Sequence, residues 1–236
     1  MKSYKVVIVG DKAVGKTVYI DSFITGEFMK SYIQTIGVTV KDIDFHTSIG
    51  KVGFQCWDIS GDPKMVGIVD GFLIGADCAI IMFDVTDRQT YRSVAGWYDT
   101  LSRVVPGIPV VLCGSKTEDP NRKVGPSSII FHRKRGLSYY DISTQSNFNK
   151  EKPFIYLLNV LNKRKDIALA TPPYESEAIN EQKDNSKIDL SKVDNCDNFN
   201  ENPNHNNNTN LPLVIPITFF DPEDLNSDFK KNLNLN

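Results

Sequence analysis

The sequence has few cysteines, and none of them shows the spacing of a metal site or a disulfide framework. Its four cysteines are Cys56, Cys78, Cys113 and Cys196, and they lie far apart. The first three lie within apolar runs, where a free thiol behaves as a small hydrophobic side chain. We therefore expect reduced thiols and a reducing compartment.

Long apolar runs and an excess of positive charge are also missing. No run approaches the ~18 apolar residues of a membrane-spanning helix, and a strand-like segment begins at Lys5 without a preceding secretory signal. The last cysteine lies far from the final residue, so a C-terminal prenylation motif is not expected. The 27 basic side chains are balanced by 29 acidic ones, whereas nucleic-acid-binding proteins usually carry a basic excess. We expect no membrane anchor and no nucleic-acid partner.

Asparagine content and charge divide the chain into two unlike parts. Residues 171–236 hold 15 of the 20 asparagines. Residues 1–168 carry 22 basic and 17 acidic side chains, whereas residues 169–236 carry 5 and 12. Such a polar segment buries too little apolar surface to offset the entropy of ordering it. We expect one domain over residues 1–168 and a mostly disordered, Asn-rich acidic tail over residues 169–236. Within the tail, the apolar stretch 211–220 is either a patch that associates non-specifically or a docking segment.

Apolar strand-like runs alternate with helix-like segments in the first part of the chain. The runs span residues 5–9, 52–57, 78–85, 108–113 and 139–142, and helical patterns cover residues 16–24, 89–104 and a face made of Phe154, Leu157, Leu158 and Leu161. The alternation predicts an α/β fold with a mostly parallel sheet and helices on both faces. Gly26 is placed to end the first helix. Functional residues are expected in the loops that follow the strands, because ligands bind there in such sheets.

The loop after the first strand-like run matches the phosphate-binding pattern GxxxxGK[ST]. It consists of Gly10, Asp11, Lys12, Ala13, Val14, Gly15, Lys16 and Thr17. The glycines let backbone N–H groups turn towards phosphate oxygens, and the following helix adds positive potential. Lys16 would neutralise a terminal phosphate, and Thr17 would offer its hydroxyl to Mg²⁺. The loop predicts a nucleotide polyphosphate site, against the alternative of an ordinary glycine turn with a solvated lysine.

A second group of polar residues is spaced as the ligands of a metal beside that loop would be. Asp58 follows the run 52–57, Gly61 comes three residues later, and Thr35 lies in the preceding segment. An aspartate at a strand end is by itself usually a turn former. Beside a phosphate loop, however, the carboxylate can hold Mg²⁺ through water, and the Gly61 N–H can reach a terminal phosphate. We predict a metal site formed by Thr17, Thr35 and Asp58.

Several longer runs carry a resemblance to a known family. They are CAIIMFDVT (78–86), IPVVLCG (108–114), FHRKR (131–135), YYDIS (139–143) and EKPF (151–154). Together with the phosphate loop they resemble the small Ras-like GTPases, and most closely the Ran type, over about residues 4–165. The resemblance implies a P-loop nucleotide-binding domain with a six-stranded sheet.

The same resemblance implies a ligand, moving parts and partners. The ligand is GTP or GDP with Mg²⁺, with Phe28 beside the base, and the switch segments lie near residues 29–40 and 59–71. The implied partners are importin- and exportin-type transport receptors together with an exchange factor. The protein is then expected to be a monomer of the nucleus and cytoplasm.

The base-reading segments depart from the family pattern. Where the family has Asn-Lys-x-Asp and Ser-Ala-Lys, this chain has Ser115, Lys116, Thr117 and Glu118, and Ser143, Thr144 and Gln145. We expect Ser115 to be too short to bridge as an asparagine does. The Glu118 carboxylate lies one methylene further out than that of aspartate, so a bidentate contact with guanine requires backbone movement. These changes predict weakened discrimination between bases.

The catalytic positions also differ from the family pattern. Lys16 is retained, but the water-orienting glutamine is replaced by Asp62, whose carboxylate only accepts hydrogen bonds and adds negative charge. We predict a GTPase of weak activity. Lys12 stands where the family commonly has glycine, and three outcomes stay open: it blocks assisted hydrolysis, stabilises developing charge, or pairs with Asp62.

The basic run consists of His132, Arg133, Lys134 and Arg135. It is either a solvated loop or, as the resemblance implies, a patch that faces acidic transport receptors. The acidic tail is also expected to lie against the basic domain. The favoured function is a Ran-like GTP-binding switch in nucleocytoplasmic transport. The alternative is a non-hydrolysing interaction protein that binds the receptors without nucleotide switching.

Overall fold

The computed structural model describes residues 2–26 and 34–170 of the chain. Within these residues, strands and helices alternate along the chain. They are β1 (Lys2–Val9), α1 (Lys16–Thr25), β2 (Val38–Thr47), β3 (Gly50–Ile59), α2 (Val66–Leu73), β4 (Cys78–Asp84), α3 (Arg88–Val104), β5 (Val110–Ser115), α4 (Phe131–Arg135), β6 (Ser138–Asp141) and α5 (Lys152–Leu161). Short 3₁₀ turns at Pro63–Met65 and Pro126–Ser128 precede α2 and α4.

The strands form one six-stranded sheet in the order β2-β3-β1-β4-β5-β6. β2 and β3 pair as an antiparallel hairpin, and all other neighbours are parallel. The predicted α/β fold with a mostly parallel sheet is confirmed. Because β1 lies between β3 and β4, the loops after these three strands meet at one edge of the sheet.

The strand β2 was not found among the apolar runs of the sequence. It carries Lys41, Asp42 and Asp44, and of its ten residues only Ile43, Phe45 and Thr47 are buried. An edge strand with one exposed face has alternating polar residues rather than a continuous apolar run. Only the pairing of β2 with β3 reveals it as the sixth strand.

Two apolar layers cover the two faces of the sheet. Val6 and Ile8 of β1 pack in the layer under α1 and α5, whereas Val7 and Val9 pack in the layer under α2 and α3. Because side chains alternate along a strand, a β1 that is apolar at every one of these positions must be covered on both sides. The prediction of helices on both faces is confirmed.

Glycines in the left-handed region bound α1 at both ends. Gly15 precedes the helix with φ 95°, and Gly26 follows it with φ 72°. The predicted stop at Gly26 is confirmed, since this φ strains any residue with a Cβ. Cys56, Cys78 and Cys113 are buried free thiols, as predicted.

The described chain continues past the predicted domain boundary by two residues that pair with β2. Leu169 forms a bridge with Thr47, and the Ala170 N–H donates to the His46 carbonyl at 2.9 Å. The rest of the predicted tail, including Cys196 and the apolar stretch 211–220, lies outside the described residues. None of the helices in the described part of the chain is long and apolar enough to cross a membrane.

Candidate functional site

The phosphate loop follows β1 at the carboxyl edge of the sheet and leads into α1. Gly10 has φ 144°, and a Cβ at this position would lie 2.1 Å from the Met82 carbonyl oxygen of β4. Only glycine therefore allows the loop to leave β1 this close to β4. The left-handed turn at Gly15 then starts α1 directly at Lys16 and Thr17.

Lys16 is buried, and its ammonium group is turned into the loop. Its Nζ donates to the carbonyl oxygens of Gly10 at 2.7 Å and Asp11 at 2.8 Å, and the residue is 6% exposed. Burial lowers the pKa of Lys16 to about 8, while the charges of Asp58 and Asp11 oppose that shift. A buried cation whose partners in the described part of the chain are carbonyl oxygens is suited to bind an anion in the same loop.

Thr17, Thr35 and Asp58 come from α1, the segment before β2 and the end of β3, and they meet at one point. The Thr17 hydroxyl donates to Asp58 Oδ2 at 2.5 Å and lies 2.8 Å from Thr35 Oγ1, which itself lies 3.2 Å from that carboxylate oxygen. All three residues of the predicted metal site are therefore brought together.

The surroundings of the second carboxylate oxygen of Asp58 indicate whether a metal ion fits between Thr17, Thr35 and Asp58. Asp58 is 1% exposed, and its buried Oδ1 has no hydrogen-bond partner among residues 2–26 and 34–170. Burial raises the pKa of Asp58, and the hydrogen bond from Thr17 and the charge of Lys16 oppose that shift. A hard cation such as Mg²⁺ takes oxygen ligands, keeps several waters and needs few carboxylates. The group fits Mg²⁺, although no cluster of three or more His, Cys, Asp or Glu side chains lies in the described ranges.

Gly61 packs directly on the phosphate loop. A Cβ on Gly61 would lie 2.4 Å from both the Gly10 carbonyl oxygen and the Lys12 nitrogen. These are backbone atoms that cannot turn aside as a flexible side chain can. The end of β3 is thereby held against the loop, which is the place that the sequence predicted for Gly61.

Asp62 does not pair with Lys12. Its Oδ2 accepts a hydrogen bond from Gln34 Nε2 at 3.0 Å, and its Oδ1 accepts one from the Lys64 backbone N–H at 3.0 Å. The Lys64 amide is the largest of the causes that lower the pKa of Asp62. Lys12 is exposed, and across the described ranges no ion pair joins it to Asp62. Of the three outcomes for Lys12, the pairing is not formed here.

Ser115 connects β5 to the phosphate loop. The Ser115 hydroxyl lies 2.7 Å from the Val14 carbonyl of the phosphate loop and 2.9 Å from the Phe83 carbonyl of β4. That serine is too short to bridge as an asparagine does stays a prediction, although the hydroxyl lies within hydrogen-bond distance of both carbonyls. A hydroxyl has one hydrogen, so it donates to one of these carbonyls at a time.

Lys116 also connects the base-reading segment to the phosphate loop. Its Nζ lies 2.6 Å from Asp84 Oδ2 and donates to the Ala13 carbonyl at 2.9 Å. The sequence did not single out Asp84, whose only signal is its place at the end of β4. Lys116 has φ 60°, in the left-handed region.

The two base-reading segments lie side by side. The Thr117 hydroxyl donates to the Ile142 carbonyl at 3.1 Å, next to Ser143, which is buried and accepts a hydrogen bond from the Ser146 N–H at 3.0 Å. Thr144 is half-buried, whereas Glu118 and Gln145 are exposed. The exposed Glu118 carboxylate takes no part in the hydrogen bonds described above for Ser115, Lys116 and Thr117. Phe28, which was predicted beside the base, lies outside the described residues.

The basic run forms the short helix α4. Arg133, Lys134 and Arg135 are all exposed, and Arg135 also lies 3.7 Å from Asp99 and over the Tyr98 ring at 5.2 Å. His132 stacks on Tyr139 with 5.2 Å between ring centroids, and its Nδ1 is buried without a partner. The run therefore has three exposed cations beside a histidine that packs on β6.

Comparison with protein families gives a match that covers most of the described chain. The model of the Ras family matches residues 5–163. The matched segment contains the phosphate loop, the Thr17, Thr35 and Asp58 group and both base-reading segments.

Proposed function

The chain belongs to the Ras family, and from this premise we propose that it is a Ran-type GTP-binding switch that acts in nucleocytoplasmic transport. Ras-family GTPases bind GTP and GDP, typically with Mg²⁺. The Ran type is supported by the five runs given above, from residue 78 to residue 154. Its proposed partners are importin- and exportin-type receptors, and its proposed location is the nucleus and cytoplasm.

The meeting of Thr17, Thr35 and Asp58 carries the proposal. Thr35 lies in the first implied switch segment, and Asp58 directly precedes the second. A ligand that binds Thr17 and Thr35 together therefore orders the first switch segment against the phosphate loop. When bound, Mg²⁺ would neutralise phosphate charge beside these residues.

The residues around the terminal phosphate position support slow hydrolysis. Lys16 supplies positive charge inside the loop. Asp62 offers no hydrogen-bond donor when ionised, and its two oxygens already accept from Gln34 and Lys64. The chain therefore binds the reacting group but does not orient the attacking water as a glutamine would.

The exposed part of α4 supports an acidic partner. Arg133, Lys134 and Arg135 are exposed, and Arg135 also contacts Asp99 and the Tyr98 ring. Exposed cations on one short helix complement a surface rich in carboxylates, and such charges mainly raise the association rate and the specificity.

The first experiment identifies the nucleotide. The full chain is purified, the copurifying nucleotide is identified, and affinities for GTP, GDP and ATP are measured with and without Mg²⁺. We expect a bound guanine nucleotide whose affinity falls without Mg²⁺ and in the Thr17→Ala variant. Folded protein that takes up no purine nucleotide with Mg²⁺ present contradicts the proposal.

The second experiment tests the receptors. Binding of an importin-type receptor is measured with GTP-loaded and GDP-loaded protein, and again with Arg133→Glu/Lys134→Glu. The matched control is Lys152→Glu/Lys165→Glu, which reverses two exposed charges elsewhere on the domain. We expect binding that requires GTP and is weakened by the first pair of changes only.

One observation favours a second candidate, an interaction protein that does not switch. The base-reading carboxylate of Glu118 is exposed. In that case the receptor binds equally to protein with and without nucleotide. The second experiment therefore separates the two functions directly.

A further inference from the structure

Trp97 of α3 is in direct contact with the phosphate loop. Its indole Nε1–H donates to Asp11 Oδ1 at 2.9 Å. We propose that Trp97 is a positioning residue that holds the phosphate loop in the shape that binds a polyphosphate. The proposal rests on the proposed nucleotide binding and adds to it a residue 80 positions beyond the loop motif.

Asp11 is the point at which three parts of the fold hold the loop. Trp97 holds its side chain, Lys16 Nζ donates to its carbonyl oxygen at 2.8 Å, and Gly61 packs against its backbone. A Cβ on Gly61 would lie 2.3 Å from the Asp11 carbonyl carbon. Of these three contacts, the one from Trp97 is made by a side chain that lies outside the motifs found in the sequence.

The hydrogen bond from Trp97 also fixes the position of the negatively charged Asp11 carboxylate. A carboxylate beside a polyphosphate repels it, unless the carboxylate is held to one side and partly neutralised. The indole N–H is a donor only, so it accepts nothing from the loop and fixes one oxygen of Asp11 against α3. The backbone N–H groups of the loop are then left to the phosphates.

Trp97 is half-buried in a cleft between the end of β3 and α3. The cleft has a volume of about 370 Å³ and is also lined by Asp11, Gly61 and Asp62. Its ring therefore lies where the second implied switch segment meets the phosphate loop. A change at either place alters the surroundings of the indole.

The test compares two tryptophans that each donate one indole hydrogen bond. Trp97→Phe removes the bond to Asp11, whereas Trp57→Phe removes a bond of 2.9 Å to Gln55, a residue outside the loop. GDP and GTP dissociation rates are measured with Mg²⁺ for both variants. We expect release about tenfold faster in Trp97→Phe, as for loss of a hydrogen bond to a charged group, and a change within about twofold in Trp57→Phe. Equal release rates in the two variants overturn the proposal.

A coupling measurement separates this contact from a general effect on folding. Asp11→Asn retains the Oδ1 acceptor, and Asp11→Ala removes it. We expect Trp97→Phe to speed release further in the Asp11→Asn background and to add nothing in the Asp11→Ala background. The same added effect in both backgrounds contradicts the proposal.

The fluorescence emission of Trp97 gives a further test, in which Trp97 itself is not substituted. In Trp57→Phe, Trp97 is the one remaining tryptophan of the two in the chain. We expect its emission to change when MgGDP binds, and unchanged emission with nucleotide bound overturns the inference. Failure of the unmodified protein to bind any nucleotide instead contradicts the proposed function, and the inference with it.

Discussion

The side-chain amide of Gln34 donates a hydrogen bond to the Asp62 carboxylate at 3.0 Å. Gln34 lies before β2, and Asp62 follows β3, so the bond joins the two segments that the family resemblance identifies as switches. The Lys64 backbone N–H occupies the other oxygen of the same carboxylate. Asp62 thus acts as an acceptor that ties the two segments together, in a place where the family has an amide that orients water.

The Asp62→Gln variant is expected to hydrolyse GTP at least about tenfold faster than the unmodified protein, because an amide can both donate and accept towards the attacking water. Single-turnover hydrolysis of preloaded GTP measures this rate. The Gln34→Ala variant is the control, since it frees the Asp62 carboxylate without adding a donor. It is expected to stay slow, and equal rates for Asp62→Gln and the unmodified protein contradict the prediction.

Restoring the family residues at the base-reading segment is expected to increase selectivity for guanine. An asparagine at position 115 has two amide hydrogens for the Val14 and Phe83 carbonyls that Ser115 serves with one. In Ser115→Asn/Glu118→Asp, the affinity for GTP relative to ITP is expected to rise about tenfold, as for a gained hydrogen bond to a charged group. ITP lacks the exocyclic amine, so the ratio reads the carboxylate contact. An unchanged ratio would show that residue 118 does not read the base.

Gly61→Ala is expected to weaken nucleotide binding and to destabilise the fold by about 1–3 kcal/mol, because the added methyl group meets backbone atoms that must move. Gly67→Ala is the matched control, since a Cβ there meets nothing within 4 Å and alanine favours the helix α2. Thermal unfolding and GDP affinity are measured for both. Equal stability of the two variants contradicts the close packing of Gly61 on the loop.

His132 is expected to make the domain less stable at mildly acidic pH. Burial and the charge of Arg133 lower the pKa of His132 below its ordinary value of 6.5. The unfolded chain therefore takes up the proton first, and stability falls as the pH falls through 6.5 towards the lower pKa of the folded state.

The His132→Phe variant checks this sign. It keeps an aromatic ring on Tyr139 and removes the titrating group. Unfolding free energies are compared between about pH 7.5 and about pH 5.5, the range in which histidine changes charge. The loss of stability is expected to be smaller in the variant, and identical losses would show that His132 does not contribute.

Several parts of the fold and site follow from local pattern. β1, β3, β4 and β5 contain apolar runs because each lies in the interior of the sheet, and the phosphate loop has glycines where the backbone needs them. β6 lies at the edge opposite β2, and its signal is the aromatic pair Tyr139 and Tyr140 in a strand whose four residues are all half-buried. β2 could not be found in this way, because an edge strand needs an apolar side chain on only one face. Because β2 carries charged residues, it is recognised as a strand from its pairing with β3.

The order of residues along the chain by itself determined the α/β fold, the phosphate-binding motif and the three side chains of the predicted metal site. These are local properties, since they depend on the period of apolar residues and on backbone conformations that few residues allow. Only the tertiary structure decided that Ser115 reaches Val14, that Asp62 bonds to Gln34 rather than Lys12, and that Trp97 holds Asp11. Contacts between residues tens of positions apart depend on how strands and helices pack, and no spacing along the chain encodes those distances.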